Sequence, residues 1–580
     1  MNSLESSIIY EIEKAIIKAY NIRPDTSILE KSLVICDDLS KGHYTLKCFN
    51  LAKVFRASPL NIANTLSENI SDDNLFNAVD AVNGYLNFKI KVDAIAKEAF
   101  STVSDKKRIE RKKKVIIEYS QPNTHKELHV GHMRNLCLGN SLCRIKTYLG
   151  YNVVSATYPG DVGTHVAKCL WYIKKHYNGE LPIHNKGEWL GHIYSTANMI
   201  LKEQESDEVL NGKNKNELTL ILKEIESRSG SYHDLWRLTR EWSLDLMKSI
   251  YTWANVSFDK WYFESDVDRP SIDLCNNLYS EGKLIKSDGA IGMDLEKLNL
   301  GFCMLIKSDG TGLYAAKDIE LAKIKHDNFK PDQSIYIVDN RQSYHFEQVF
   351  AVLEQIGFED SSKCIHLKYE MVELPDGAMS SRKGNIVPIS RLINDMEDTI
   401  TKKYLSNSSK NWDSSEIKLA ASKIANGAIK YGMLKFDPNK KIIFDLNEWL
   451  KTDGDTGPYI QYAATRARSI LSNTLGFNIE YNDINDICFT YNYDIEVELL
   501  IKLISFNDII ERADLLNKPS IIANYTYELA QIFNRFYAKV NIKNISDQLE
   551  KNQRLILVGH VYNTIEEGLN LLGIDIPARM

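Results

Sequence analysis

The chain has 580 residues, 44% hydrophobic and 26% charged, an ordinary globular composition that predicts three or four domains at about 150 residues each. That balance excludes disordered, collagen-like and coiled-coil classes. The 71 Lys+Arg against 77 Asp+Glu leave a net charge of −6, which taken alone argues against a polyanionic partner. No run of about 18 apolar residues is present, so no membrane span is expected. Glu5, Glu11 and Glu13 in the first stretch argue against an export leader. The nine cysteines are scattered, with no Cys-x-x-Cys, so neither a disulfide framework nor a zinc site is expected and a cytoplasmic location fits.

In chain order, Leu4, Ile8, Ile12, Ala15, Ile16 and Ala19 recur at helical steps. A second helix is expected over residues 46–55. The segment 85–90 alternates as a half-buried strand, with Leu86, Phe88 and Ile90 on one face. These elements predict a small α+β domain over 1–108. The run 106–114 carries seven basic side chains and one acidic one, and reads either as a solvated linker or as a phosphate-contacting connector.

Val115, Ile116 and Ile117 have the β-branched density of a buried parallel strand. A Pro-containing loop, a helix over 130–149 and a strand over 152–156 complete a βαβ unit, which opens a doubly wound sheet. Residues 170–261 read as a charged helical insertion, and 333–338 as a strand returning to the sheet. Beyond residue 400 the strand signals fade. Amphipathic stretches at 417–436, 460–475, 521–540 and 552–572 predict an all-α C-terminal domain. The fold class expected is therefore multidomain α/β. A Rossmann-type parallel-sheet domain over 109–400, interrupted by the insertion, lies between the α+β domain and a helical domain over 401–580.

The strongest local signal is His129-Val130-Gly131-His132, expected by chance about 0.014 times in a chain of this composition. It falls at the end of the first strand-to-helix loop. Ligands of open α/β sheets bind there, and a helix N-terminus offers free N–H groups to phosphate. Gly131 would let a flat purine lie on the backbone, while the two imidazoles donate to phosphate oxygens. Far downstream, Met379-Ser380-Ser381-Arg382-Lys383-Gly384-Asn385 is a Gly-bounded cationic loop suited to the charge on a departing polyphosphate.

Together these two motifs resemble the HIGH and KMSKS signatures of class I aminoacyl-tRNA synthetases. The block Glu118-Tyr119-Ser120-Gln121-Pro122-Asn123, with Lys126 and HVGHMRN, is similar to that of the arginyl-tRNA synthetase family. Gly160-Asp161-Val162-Gly163-Thr164, the segments 313–318 and 336–342, the block 455–463 and the final Pro577-Ala578-Arg579-Met580 match as well. Two departures stand out: Ala378 and Ser381 occupy the lysine positions of the loop motif, and Val162 and His165 replace the frequent Trp and Gln.

The resemblance implies activation of L-arginine with ATP, accompanied by Mg2+, and transfer of the arginyl group to tRNA(Arg) by a monomer. No general base is required, since the attacking carboxylate is already an anion. The implied catalytic residues are His129, His132, Lys126 and Lys383, with Lys126 supplying the charge missing from the loop. His129, Gly131, His132, His345, Met379, Ser380, Ser381 and Arg382 are implied to hold ATP. Glu118, Ser120, Asn123, Tyr314, Asp318 and Gln342 are implied to hold arginine, the anions facing its planar guanidinium. For tRNA the resemblance points to Asn83, Tyr85 and Asn87 near the N-terminus, and to Tyr459, Gln461, Tyr462, Arg466 and Tyr537 in the helical region. Without that match, Tyr459 and Tyr462 would read as core, and Tyr314 with Asp318 as a surface pair one turn apart. The alternatives are another class I synthetase or a nucleotidylyltransferase, which shares His-x-Gly-His, and a non-catalytic RNA-binding paralogue. Basic side chains act in local clusters, so overall acidity does not exclude an RNA partner.

Overall fold

A computed structural model describes residues 2–72, 74–104, 111–375, 377–378, 387–406, 412–472 and 487–580. The chain forms two compact units. One comprises Met1–Lys107, Tyr462–Arg512 and Asn524–Gly568, and the other Arg108–Gln461, Ala513–Ala523 and Leu569–Met580.

In the first unit, a four-stranded antiparallel sheet is built from Leu33–Ile35, Tyr44–Lys47, Tyr85–Ile90 and Phe76–Val82, in that spatial order. Leu86, Phe88 and Ile90 are fully buried on the expected face, while Asn87 on the other face is buried as well. Asn83 and Gly84 join the last two strands with φ of 51° and 83°, the left-handed pair that a tight hairpin demands. The helix expected over 46–55 is replaced by the strand Tyr44–Lys47, a 3-10 turn Cys48–Leu51 and one short helix Ala52–Phe55. Pairing of Tyr44 with Phe88 and Leu46 with Leu86 buries both side chains in the sheet, and this tertiary gain outweighs local helical periodicity. Helix Asp494–Ile504 and the greater parts of helices Phe506–Leu516, Ser520–Lys539 and Gln548–Leu571 belong to this unit. The first of these packs on helix Val92–Ser104, and the Phe489 amide donates to Asp93 Oδ1 at 2.8 Å.

The second unit holds a five-stranded parallel sheet: β1 (Lys114–Glu118), β2 (Asn152–Thr157), β3 (Lys260–Trp261), β4 (Gln333–Asp339) and β5 (Cys364–Tyr369). Their spatial order is β5-β4-β1-β2-β3. Chain direction across the sheet therefore reverses between β1 and β4, and the crevice outside their carboxyl ends is the topological switch point. Helix α1 (Val130–Tyr148) follows β1. The insertion is four helices, α2 (Thr164–Lys175), α3 (Lys186–Glu203), α4 (Glu208–Glu226) and α5 (Ser231–Trp253), after which β3 rejoins the sheet. Helix α6 (Glu264–Ser280), a three-stranded antiparallel sheet over 285–306, α7 (Tyr314–Phe329) and α8 (Ser343–Gln355) complete the region. That small sheet carried no separate signal in the sequence.

The boundary expected at 400 does not divide the compact units, since residues 401–461 fold with the second one. Helix Ser414–Leu434 packs on both α1 and helix Ile389–Ile400. Its Lys430 and Asn426 are buried and donate to the carbonyls of Gly573 and Trp253, which fastens it to this core.

Candidate active site

Helix α1 begins at the His motif. His129 is its N-cap residue, and its Nδ1 accepts from the Gly131 amide at 3.2 Å. The His132 Nδ1 accepts from the His129 amide at 3.0 Å. An imidazole whose Nδ1 accepts a hydrogen bond carries its proton on Nε2 when neutral. Burial, with the charge of Arg341, brings His129 down to about 4. Burial, then His129 and Lys126, hold His132 well below its ordinary range. Both rings are thus neutral near pH 7, with Nε2–H as the remaining donor, and their centroids lie 3.9 Å apart.

The rest of α1 locks the motif in place. Asn135 spans the switch point: its Oδ1 accepts from the Ser120 amide at 2.5 Å beyond β1, and its Nδ2 donates to the Ile337 carbonyl of β4 at 2.7 Å. Arg134 is buried, with its guanidinium donating to the carbonyls of Glu370, Met371, Asp437 and Pro438. Both residues close the HVGHMRN block that carries the resemblance, but no role was expected of either.

Met379, Ser380, Ser381, Arg382 and Lys383, expected to line the phosphate end, lie outside the described residues. Their C-terminal flank is placed. The Val130 amide donates to the Val387 carbonyl at 3.2 Å, and the Ile389 amide to the Leu128 carbonyl at 2.9 Å, so the chain leaves that loop beside the His motif. Lys126 Nζ lies 4.9 Å from the centre of the Tyr194 ring of α3. Arg341, which sequence reasoning left without a role, is held by two hydrogen bonds to Asp339, at 2.8 and 3.1 Å.

At the expected arginine end, Asp318 of α7 accepts from His345 Nε2 of α8 at 2.6 Å. A residue implied for arginine and one implied for ATP are therefore bonded to each other. Tyr314, one turn before Asp318, is 69% exposed. Asn123 is exposed and forms a backbone bridge with Gly160. Gln342 is exposed just ahead of α8. Ser120 is buried at φ 58°, and its hydroxyl is paired with that of Tyr251 at 2.8 Å.

Glu118 departs from the expectation of a free anion. It is 3% exposed, and its Oε2 lies 2.7 Å from Nζ of Lys325, itself 1% exposed on α7. Neighbouring carboxylates are paired in the same way. Asp161 accepts from Arg240 Nε at 2.7 Å and from Ser265. Lys317 lies 3.1 Å from Glu264 and 2.7 Å from Asp268. Four carboxylates, Glu118, Asp161, Glu264 and Asp268, are thus met by three cations, Lys325, Arg240 and Lys317. A buried charge requires such a partner, but the partners lie far away in sequence.

Of the residues expected at tRNA, three come together on one surface of the first unit. The Arg466 guanidinium lies 4.6 Å from the Tyr462 ring centre and 4.7 Å from that of Tyr537. Its Nη1 donates to Asn534 at 2.7 Å, and both rings remain partly exposed. Gln461 is corrected: it is fully buried, and its Nε2 donates to the carbonyls of Lys423 and Asp575 at 2.9 and 2.7 Å, so its amide is committed within the fold. Tyr459 is half-buried. Near the N-terminus, Asn83 and Tyr85 are exposed at the hairpin. Asn87 is buried and lines an open cavity of about 630 Å3 together with Lys41, Lys89 and Asn64.

The chain resembles known proteins along its whole length. Residues 95–446 match the family model for the catalytic domain of class I (R) tRNA synthetases. Residues 460–580 match the DALR anticodon binding domain, and 6–90 the arginyl tRNA synthetase N-terminal domain. An arginine–tRNA ligase of Bdellovibrio bacteriovorus is 46% identical over 98% of this chain and 98% of its own. One from Clostridium botulinum is 31% identical over 96% of this chain and 97% of its own. Among solved structures, Thermus thermophilus arginyl-tRNA synthetase superposes with a TM-score of 0.78 at 25% identity, covering 99% of this chain and all of that one. The Plasmodium falciparum enzyme has the same fold, with a TM-score of 0.76 at 22% identity and full coverage of both chains.

Proposed function

The chain belongs to the arginyl-tRNA synthetase family, and from that premise we propose how its own residues carry the reaction. It is an arginine–tRNA ligase, which charges tRNA(Arg) with arginine. In the first step a carboxylate oxygen of arginine attacks the α-phosphorus of ATP, a C–O–P bond forms, and the bond to pyrophosphate breaks. No proton moves, so catalysis reduces to alignment and stabilisation of charge. In the second step a hydroxyl of the terminal adenosine of the tRNA attacks the adenylate carbonyl; the ester bond forms, the carbonyl–oxygen bond to AMP breaks, and the hydroxyl proton passes to the departing phosphate.

The observation that carries the site assignment is the pair of occupied Nδ1 atoms in His129 and His132. With those positions filled by backbone amides, each ring presents a single Nε2–H donor, and neither adds a charge that must be desolvated. We assign both donors to the α- and β-phosphate oxygens. Lys126, whose charge acts on His132, and Lys383 are assigned as the cationic partners of the phosphates. Asp318, held by His345, is assigned to the guanidinium. Asn123 and Gln342 are assigned to the α-amino and carboxylate end. Mg2+ enters as the counter-ion of ATP, carried on phosphate oxygens; among the described residues no group of three or more His, Cys, Asp or Glu side chains is arranged to hold a metal. We place the enzyme in the cytoplasm as a monomer. The Tyr462–Arg466–Tyr537 stack is assigned to unpaired bases of the anticodon, which aromatic and guanidinium planes accept, and the hairpin at Asn83 and Tyr85 to a second tRNA contact.

The test is ATP–pyrophosphate exchange with each amino acid, with and without tRNA, on the full chain and on Lys126→Ala. Arginine alone should support exchange, and the variant should lose at least about 100-fold. Exchange driven by a different amino acid would overturn the substrate, and near-normal exchange by the variant would overturn the role of Lys126. Absence of exchange with tRNA binding retained would favour the non-catalytic alternative.

A further inference from the structure

We propose that the hydroxyl of Tyr158 is a specificity-determining acceptor for the guanidinium group of arginine, acting together with Asp318. The inference rests on the assignment of Asp318 to that group. A guanidinium presents five N–H donors in one plane, and a single carboxylate engages two of them. The second anion expected there, Glu118, is already bonded to Lys325. Further acceptors must come from elsewhere in the pocket.

Tyr158 follows β2 directly. Glu118 pairs in register with Ala156, and side chains two residues apart along a strand share a face, so Tyr158 emerges one pleat beyond Ala156 on the Glu118 side of the sheet. The aromatic body packs in the cluster that includes Val267 of α6 and Leu321 of α7. The same helices carry Glu264 and Asp318, and the Glu264 amide donates to the carbonyl of Pro159.

The Tyr158 hydroxyl oxygen is buried and has no hydrogen-bond partner among the described residues. Buried hydroxyls are almost always paired, and one left alone destabilises the fold. Burial first, then the negative charges of Asp318, Glu264, Glu118 and Asp161, push the phenol well above its ordinary range. It therefore stays protonated, keeps both lone pairs, and lies within the field of the acids that attract a cation. An oxygen acceptor adds geometric demand without adding a further charge, which suits a planar donor array over the point charge of an ammonium.

The experiment uses full-length enzyme with Tyr158→Phe, an isosteric change, alongside Asp318→Asn as a control for the pocket. The KM for arginine and for ATP is measured in aminoacylation, together with the thermal unfolding midpoint. Tyr158→Phe should raise the arginine KM by about 10- to 100-fold, the effect of one hydrogen bond to a charged group, and leave the ATP KM within about twofold. Its midpoint should stay equal or rise, since the fold loses no bond. An unchanged arginine KM in Tyr158→Phe, with Asp318→Asn impaired, overturns the role of Tyr158 while the pocket stands. An unchanged arginine KM in both variants overturns the pocket assignment itself. A lowered midpoint accompanied by equal rises in both KM values identifies a structural hydroxyl and likewise overturns the proposal.

Discussion

Buried neutral histidines make the second unit sensitive to acid, and His125 isolates the effect. It is fully buried, with its two ring nitrogens paired to the hydroxyls of Thr124 and Thr239 at 2.9 and 2.8 Å. Burial, reinforced by the charges of His165 and Arg240, brings it down to about 3. Unfolded, it titrates near 6.5. A folded value below the unfolded one means that the unfolded chain binds more protons across the interval, so stability is complete above about pH 6.5 and falls as pH drops toward about 3. At about pH 5 the loss is about RT ln(1 + 10^1.5), or about 2 kcal/mol, for each such group. His165, brought down to about 3, His129, brought down to about 4, and His132, held well below its ordinary range, act in the same direction, so the wild-type chain loses more than His125 alone accounts for. Equilibrium urea unfolding of the full chain at about pH 7.5 and about pH 5 measures it. His125→Asn retains a side chain that tolerates the left-handed backbone here, φ 59°, but cannot titrate. Its difference between the two pH values should be smaller than wild type by about 2 kcal/mol. Parallel pH profiles for the two proteins would refute the reasoning, as would a wild-type chain more stable at the lower pH.

The remaining expectations concern the paired charges and the tRNA surface. Lys325→Met leaves Glu118 buried without its cation and should cost about 3–5 kcal/mol; the double variant Glu118→Gln with Lys325→Met should recover at least half, which a double-mutant cycle on unfolding midpoints reads out. Asp318→Asn should raise the arginine KM by about 100-fold while the ATP KM moves less than about threefold; equal changes would count against a guanidinium site. Arg466→Ala removes the cation between two tyrosine rings and should weaken tRNA binding about tenfold while reducing its salt slope by about one, as measured by filter binding over a salt series.

Much of this architecture was legible because its signals are local. The β-branched run of β1, the helix-start histidines and the amphipathic C-terminal stretches each report a period or a spacing within about twenty residues. Such patterns anticipated α1 as Val130–Tyr148 and β4 as Gln333–Asp339 to within one or two residues. The helix expected over 46–55 began inside the strand Tyr44–Lys47 because that strand's partner, Tyr85–Ile90, lies some forty residues away. The small antiparallel sheet over 285–306 went unseen for a similar reason: short strands acquire their identity from their neighbours.

By itself, then, the sequence determined the class of fold, the order of its parts and the residue types proposed to meet phosphate and guanidinium. Tertiary structure alone decided which of those side chains remain available. Glu118 and Lys325 are 207 positions apart, yet their pairing determines how the carboxylate can serve a substrate. Gln461 sits in the block 455–463 that carries the resemblance but spends its Nε2 on the carbonyls of Lys423 and Asp575. Tyr158 carried no signal in any motif, and stands out only because its hydroxyl is buried without a partner. The physical reason is common to all three. Period and spacing govern which face a side chain occupies, whereas desolvation and charge compensation depend on every element packed against that face.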